Sequence, residues 1–403
     1  MVQSYPLATE DIRLAVWSQA ISRSALQEML SVASRPNIIS FALGLPAAEL
    51  FPTEAFAKAV TRVLGTDSRA LQYGPPFQPL KGQVVELMAA RGVACSQEQV
   101  FLTAGAQQGM NLLARLLLNQ GSQVLVEETI YTGFQQVIEP FEPQILSVSS
   151  DPETGMDVDE VESLLAAGCH PALIYAVTEG HNPLAVSLSA AKRVRLVQLA
   201  REYRVPILED DPYGFLYYDE KPLRPMRALD EDWVLYIGSF SKILAPALRV
   251  GWIVVPEVLI PKLSIVKEAA DIDTSTLTQR SVSAYLSSAN VEAHLIGLRR
   301  EYARRRDAML NALDNHFGDK ARWRKPSCGF FIWVELASEI DTFEMFRIAL
   351  ESEQVAFIPG RAFSVGGSNR ANHCLRLNFS NSTTDRIEIG IQRLGRVLNR
   401  MVG

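Results

Sequence analysis

Trp233-Val-Leu-Tyr-Ile-Gly-Ser-Phe-Ser-Lys-Ile-Leu-Ala-Pro-Ala-Leu-Arg-Val-Gly-Trp252 decides the reading of this chain. The run opens as an apolar segment bounded by Gly238, which predicts a buried strand. A loop then carries Ser239, Ser241, Lys242 and Arg249, and a second apolar strand runs from Val250 to Val255. An arginine fork and serine hydroxyls suit a phosphate. A lysine held among apolar neighbours has a lowered pKa and becomes a nucleophile able to form a Schiff base. The stretch therefore predicts an anion site beside a reactive amine, with a solvated loop lysine as the plain alternative.

Working outward, the pattern is strand followed by helix. Val100–Thr103 is a short apolar strand, and Ala104-Gly105-Ala106-Gln107-Gln108-Gly109 turns into a helix over Met110–Leu118. Backbone N–H groups at such a helix start bind phosphate well. With Ser239 and Arg249, this turn becomes the second wall of one phosphate cup. Further strands are expected at Gln123–Val126, Leu173–Val177 and Val205–Leu208, the last ending in Glu209-Asp210-Asp211-Pro212-Tyr213. Strands alternating with helices at this spacing predict an α/β fold with a mostly parallel, doubly covered sheet. The helix from Ser189 to Tyr203 carries Lys192, Arg193, Arg195 and Arg201, which read as a solvated basic face. Residues 11–32 read as a helical lead-in.

Beyond residue 290 the composition changes. A long charged helix is expected over Val291–His316, its arginines between 299 and 306 on a solvated face. Strands at Phe330–Val334, Val355–Ile358 and Cys374–Phe379 and helices at Phe343–Ser352 and Thr384–Met401 make this an α+β region. Arg376 stands between Leu375 and Leu377 on a short apolar strand, facing away from them. An arginine so placed needs an anion if it is buried. An edge-strand surface arginine is the alternative.

At 403 residues the chain can bury a large core and divide into two lobes. Its 48% hydrophobic and 21% charged content is that of a soluble globular enzyme. A formal charge of −6 argues against nucleic acid as partner. No signal peptide and no membrane-spanning run is visible, and the four dispersed cysteines lack metal-ligand spacing, so a cytoplasmic protein with reduced thiols is expected.

Ser239-Phe-Ser-Lys242, followed by Pro246, Arg249 and Gly251-Trp252, resembles the lysine motif of pyridoxal-phosphate enzymes of the aspartate aminotransferase fold. Within that fold it is most similar to the kynurenine/2-aminoadipate aminotransferase branch, and the resemblance runs from about Ser24 to the C-terminus. It implies fold type I: a large cofactor-binding domain with a mostly parallel seven-stranded sheet, and a smaller α+β domain. The boundaries expected are 1–46 for an N-terminal arm and part of the small domain, 47–290 for the large domain and 291–403 for the small one.

The resemblance also implies roles. Lys242 carries pyridoxal 5′-phosphate as an internal aldimine and then moves protons. Asp210, three residues before Tyr213, pairs with the pyridine nitrogen. Tyr213 and Asn182 bond the ring oxygen, and Tyr131 stacks on the ring. Ser239, Arg249 and the Gly105-Ala106-Gln107 turn hold the phosphate, with Ser241 nearby. The family commonly has serine where Ala104 and Ala106 stand, so backbone groups and the Gln107 side chain must serve. Tyr73 reaches the phosphate of a second subunit in a homodimer with shared active sites. Arg376 clamps the substrate α-carboxylate, with Asn182, Leu43 and Gly44 beside the substrate.

The sequence departs from the family in two places. Leu43 replaces the first of two small residues before Leu45-Pro46, which narrows the pocket. His181-Asn182-Pro183-Leu184-Ala185 replaces Gln-Asn-Pro-Thr-Gly. A hydrogen-bonded structural histidine is the default for His181, and a proton shuttle beside the site is the sharper alternative. The expected reaction moves an amino group from an L-amino acid to a 2-oxo acid. Elimination, cyclisation or oxidation at the α, β or γ carbons is the alternative. A ligand-sensing regulator is discounted, because the segment before Ser24 is too short for a winged-helix reader.

Overall fold

The computed structural model describes residues 13–19, 35–337 and 339–402. Of the lead-in expected over 11–32, Val16–Gln19 is described and helical, and most of the rest lies outside the described residues.

The central sheet has seven strands: β1 (Val100–Thr103), β2 (Gln123–Glu127), β3 (Gln144–Val148), β4 (Leu173–Val177), β5 (Ile207–Asp210), β6 (Val234–Ser239) and β7 (Gly251–Val254). Their spatial order is β1-β7-β6-β5-β4-β2-β3. All neighbours pair parallel except β7, which is antiparallel to both β1 and β6. Alternate residues serve opposite faces: Val124, Val126, Leu173 and Tyr175 join one apolar cluster, Leu125, Ile174 and Ala176 another. Both faces are thus covered, which is why these strands read as unbroken apolar runs.

Two registers place the chemistry. Val177, Asp210 and Ile237 are aligned across β4, β5 and β6, and Ser239 faces Gly251 across β6 and β7. The loop bearing Lys242 therefore leaves and re-enters the sheet at the edge where the parallel strands end. Ligands of open α/β sheets gather at that edge. The helix α1 (Ala106–Leu117) starts there as well, immediately after β1 and Gly105.

A second, antiparallel sheet holds β8 (Ala321–Trp323), β9 (Phe331–Leu336), β10 (Ile358–Pro359) and β11 (Cys374–Asn378) in the order β8-β9-β11-β10. The strand expected over 355–358 is split. Val355–Ala356 instead pairs with Ile39–Ser40, so the segment leading to Leu43 and Gly44 is stitched to the C-terminal part of the chain. The long helix spans Val291–His316, as its pattern predicts.

Two expected solvated faces are partly buried. Arg193 is 1% exposed and donates to the Leu188, Thr178 and Arg224 carbonyls and to Glu179. Arg306, also 1% exposed, pairs with Asp219, donates to Pro326 O and lies 4.9 Å over the Tyr218 ring. Arg305 joins Glu49, Glu301 and Ser380 O. Each arginine gathers partners from distant parts of the chain, which makes its burial tolerable.

Candidate active site

A cavity of about 560 Å³ opens where the two sheets meet. Lys242 lies in its wall, with Nζ 2.9 Å from the Gly44 carbonyl oxygen. Burial, with Arg376 and Arg249 nearby, pulls its pKa down to about 8. The lysine is therefore poised to lose its proton near neutrality, as a nucleophilic amine must.

The acidic triplet at the end of β5 separates into three different roles. Glu209 accepts from Thr178 Oγ1 and from the backbone N–H of Met226 and Arg227. Asp211 accepts from Arg91, Tyr236 and the Gly214 N–H. Both are consumed by the scaffold. Asp210 differs: Tyr175 Oη donates to its Oδ2 at 2.8 Å, while its Oδ1 is buried without a partner among the described residues. Burial pushes Asp210 up to about 6, against the Tyr175 bond, which favours the ionised form. A buried acceptor left empty at a cavity wall calls for a donor from outside the chain.

The residues expected to hold the phosphate come together from two segments. Ser241 N and Oγ both meet Ser239 Oγ, at 3.1 and 3.0 Å. Arg249 adopts a left-handed backbone (φ 49°) and turns its guanidinium onto the α1 turn, donating to Ala104 O at 2.9 Å. Gly105 is required: its φ is 89°, and a Cβ there would lie 2.6 Å from Arg249 Nη2. The leading N–H groups of α1, including those of Ala106 and Gln107, have no intrahelical acceptors. The Gln107 side chain differs from expectation. One of its N–H bonds goes to Gly133 O at 2.8 Å, so the backbone is the main donor on this wall.

Arg376 is 5% exposed, which sets aside the surface alternative. Its Nη1 donates to Asn182 Oδ1 at 2.6 Å and its Nη2 to Ala42 O. Its guanidinium carbon lies 4.1 Å from the Phe331 centroid and 4.9 Å from that of Phe363. No carboxylate neutralises it among the described residues, its Nε is unpaired, and burial pulls its pKa down to about 10. It remains a cation near neutral pH and is short of an anion.

Tyr213, packed edge-on to Phe330 and Phe331, lines the cavity, and its hydroxyl has no hydrogen bond among the described residues. Burial raises its pKa, although Arg376 opposes this. Tyr131, Leu43 and Gly44 also line the cavity. Gly44 must be glycine because a Cβ would meet the Phe331 ring at 2.9 Å. Two of the residues singled out in the sequence lie off this chain's cavity. Tyr73 is 77% exposed, away from this chain's cavity, and His181 is buried against Glu127 rather than lining it.

Sequence reasoning missed Tyr175, Ala42 O and the Phe331–Phe363 pair around Arg376. Tyr175 carried a usable signal, since a phenol inside an apolar strand must find a polar partner.

The family model for class I and II aminotransferases matches residues 36–394. The chain belongs to that family. It is 35% identical to an aromatic-amino-acid aminotransferase of Thermococcus litoralis over 93% of this chain and 91% of that protein. It is 36% identical to a 2-aminoadipate transaminase of Thermus thermophilus, covering 96% and 98% of the two chains. A solved kynurenine aminotransferase of Pyrococcus horikoshii, in complex with PMP, superposes with a TM-score of 0.91 at 34% identity, covering 97% and 98%. The fold is thus fold type I, the enzyme is an aminotransferase, and its cofactor is pyridoxal phosphate. Transamination is the chemistry these relatives support, and the elimination, cyclisation and oxidation alternative is not. The residues present fit the cofactor: Asp210 Oδ1 lacks a donor, Gly105 keeps Arg249 in the cup, and Lys242 lies in the same cavity.

Proposed function

We propose that this aminotransferase binds pyridoxal phosphate covalently through Lys242 Nζ and transfers an amino group from an L-amino acid to a 2-oxo acid. The observation that carries the assignment is convergence on one cavity: an amine lowered to about 8, a carboxylate with an empty oxygen and a buried arginine short of an anion. When bound, the cofactor serves as an electron sink for the carbon bearing the amino group.

The chain's own residues divide the remaining work. Asp210 Oδ1 receives the ring N–H and keeps that proton in place. Ser239, Ser241, Arg249 and the N–H groups of Ala106 and Gln107 bind the phosphate, and Gly105 lets Arg249 approach. Tyr213 and Asn182 orient the ring through its oxygen, and Tyr131 covers a face. Arg376, with Asn182, binds the substrate α-carboxylate, while Leu43 and Gly44 bound its side chain. Lys242 Nζ, once free, takes the proton from substrate Cα. An amine near pKa 8 is matched to that task.

The exposed Tyr73 supports a homodimer in which this ring completes the partner's phosphate site. Free cysteines support a cytoplasmic setting, and among the described residues no helix is long and apolar enough to cross a membrane. Pairing of Ile39–Ser40 with Val355–Ala356 supports grouping 1–46 in part with 291–403, leaving 47–290 as the large domain.

The test is spectroscopic. Loaded enzyme mixed with a panel of amino acids is expected to convert its cofactor from the aldehyde to the amine form, and a 2-oxo acid is expected to restore it. Lys242→Ala is expected to abolish both changes and to leave no cofactor fixed by borohydride. Full turnover in Lys242→Ala would remove the lysine from the mechanism.

A further inference from the structure

His181 stands where the family commonly has glutamine, and its side chain does not line the cavity. Its ring is enclosed instead at the end of β2. Nε2 lies 2.9 Å from Glu127 Oε2, the two side chains being 1% and 4% exposed. Glu127 is held in turn from its other oxygen, where Ser150 Oγ donates to Oε1 at 2.6 Å. The Leu184 N–H donates to His181 Nδ1 at 3.4 Å, which makes Nδ1 the acceptor and leaves the imidazole hydrogen on Nε2, whose contact with Glu127 is close but not aligned as a hydrogen bond.

The next residue is Asn182, whose Oδ1 receives Arg376 Nη1 at 2.6 Å. Asn182 sits in irregular chain between β4 and the helix α2 (Ala190–Tyr203), so no ladder of regular structure fixes it. Local bonds close the loop on itself: His181 N to Val186 O at 2.8 Å and Gly180 N to Ser187 Oγ at 3.1 Å. The His181 side chain ties this loop to another strand of the sheet. Consecutive residues thus face opposite ways, one rooted in β2 and the other reaching the guanidinium.

We propose that His181 and Glu127 form a positioning dyad for the carboxylate clamp, holding Asn182 at the point where it aims Arg376. The proposal rests on assigning Arg376 and Asn182 to the substrate carboxylate. His181 touches no substrate; it acts through its neighbour. Both half-reactions use a substrate with this carboxylate, so loss of the dyad weakens both substrates alike.

The test uses His181→Leu, which fills the space without a polar contact to Glu127, and His181→Gln, whose amide can still reach it. L-leucine and 4-methyl-2-oxopentanoate are the probes. For His181→Leu, KM of the loaded enzyme for both probes is expected to rise about tenfold, with kcat within about threefold. Calorimetry on the full chain without cofactor is expected to show the same rise in Kd for the 2-oxo acid. His181→Gln is expected to restore both constants to within about threefold of the starting protein. A melting temperature lowered in His181→Leu with KM and Kd unchanged would overturn the proposal, as would failure of glutamine to rescue. If His181→Leu does not fold, Glu127→Leu must show the same split between KM and kcat. Arg376→Lys separates the two levels. If the unmutated chain does not bind the 2-oxo acid, or binds it as well with Arg376→Lys, the clamp assignment fails and the dyad with it. If Arg376→Lys weakens binding but neither dyad variant does, the dyad alone is wrong.

Discussion

Tyr175 Oη donates to Asp210 Oδ2 at 2.8 Å and leaves Oδ1 of the same carboxylate empty. One oxygen is fixed by the sheet, so the other is aimed. The arrangement has a thermodynamic signature in the cofactor-free chain. Asp210 is raised from 3.8 to about 6, so between those values the folded chain holds its proton more tightly than the unfolded chain. Stability therefore falls as pH rises through that window, and the cost is complete above it. Asp210→Asn is expected to stabilise the cofactor-free chain by about 2 kcal/mol at pH 7.5, with the advantage gone near pH 4. Denaturant titrations at both pH values measure this. The same variant is expected to lose about 100- to 1,000-fold in kcat once loaded, because the ring proton loses its partner.

Arg376→Lys tests the fork directly. A lysine ammonium supplies charge but not two coplanar N–H groups, and it cannot lie between Phe331 and Phe363 in the same way. Losing one charge-assisted bond is expected to lower kcat/KM about 10- to 100-fold, with cofactor affinity unchanged. Steady-state kinetics beside a cofactor titration reads both quantities.

Gly105→Ala attacks the cup from its floor. The added methyl group would collide with Arg249 Nη2 on a backbone at φ 89°. Arg249 must withdraw, and the turn must bear about 1–2 kcal/mol of left-handed strain. A cofactor Kd raised at least about tenfold is expected, read by fluorescence titration.

Arg306→Met bears on assembly rather than chemistry. The guanidinium joins Asp219 and Pro326 O to the long helix, and Tyr218 packs on its face. Asp219 is half exposed, which discounts the ion pair, but the carbonyl at Pro326 is left without its donor. A loss of about 2 kcal/mol in unfolding free energy is expected, with kcat nearly unaltered.

Lys242, Ser239 and Arg249 were legible because they lie close in sequence, from the last residue of one apolar strand to the loop before the next. The three-residue offset from Tyr213 singled out Asp210 from Glu209 and Asp211 only through the family resemblance, with no physical reason for the choice. Their difference is set by Thr178, Met226, Arg91 and Tyr236, partners remote in sequence. Arg193, Arg305 and Arg306 were misread for the same reason. A charged side chain on a helix looks solvated until the carbonyls that receive it are placed by the fold. Leu43 and Gly44 were legible as a pocket edge, but their tie to Val355–Ala356 was not, since two-residue strands leave little periodic trace.

That tie sorts the site's contacts by the body each belongs to. Ala42 and Gly44 follow Ile39–Ser40, which is hydrogen-bonded to the chain just before the strand pair bearing Arg376. The Arg376–Ala42 bond is therefore internal to one body. Arg376–Asn182 and Lys242–Gly44 each join that body to the seven-stranded sheet. Sliding of one sheet against the other would part these two bonds in a single stroke, freeing the amine while Ala42 O keeps its hold on the guanidinium.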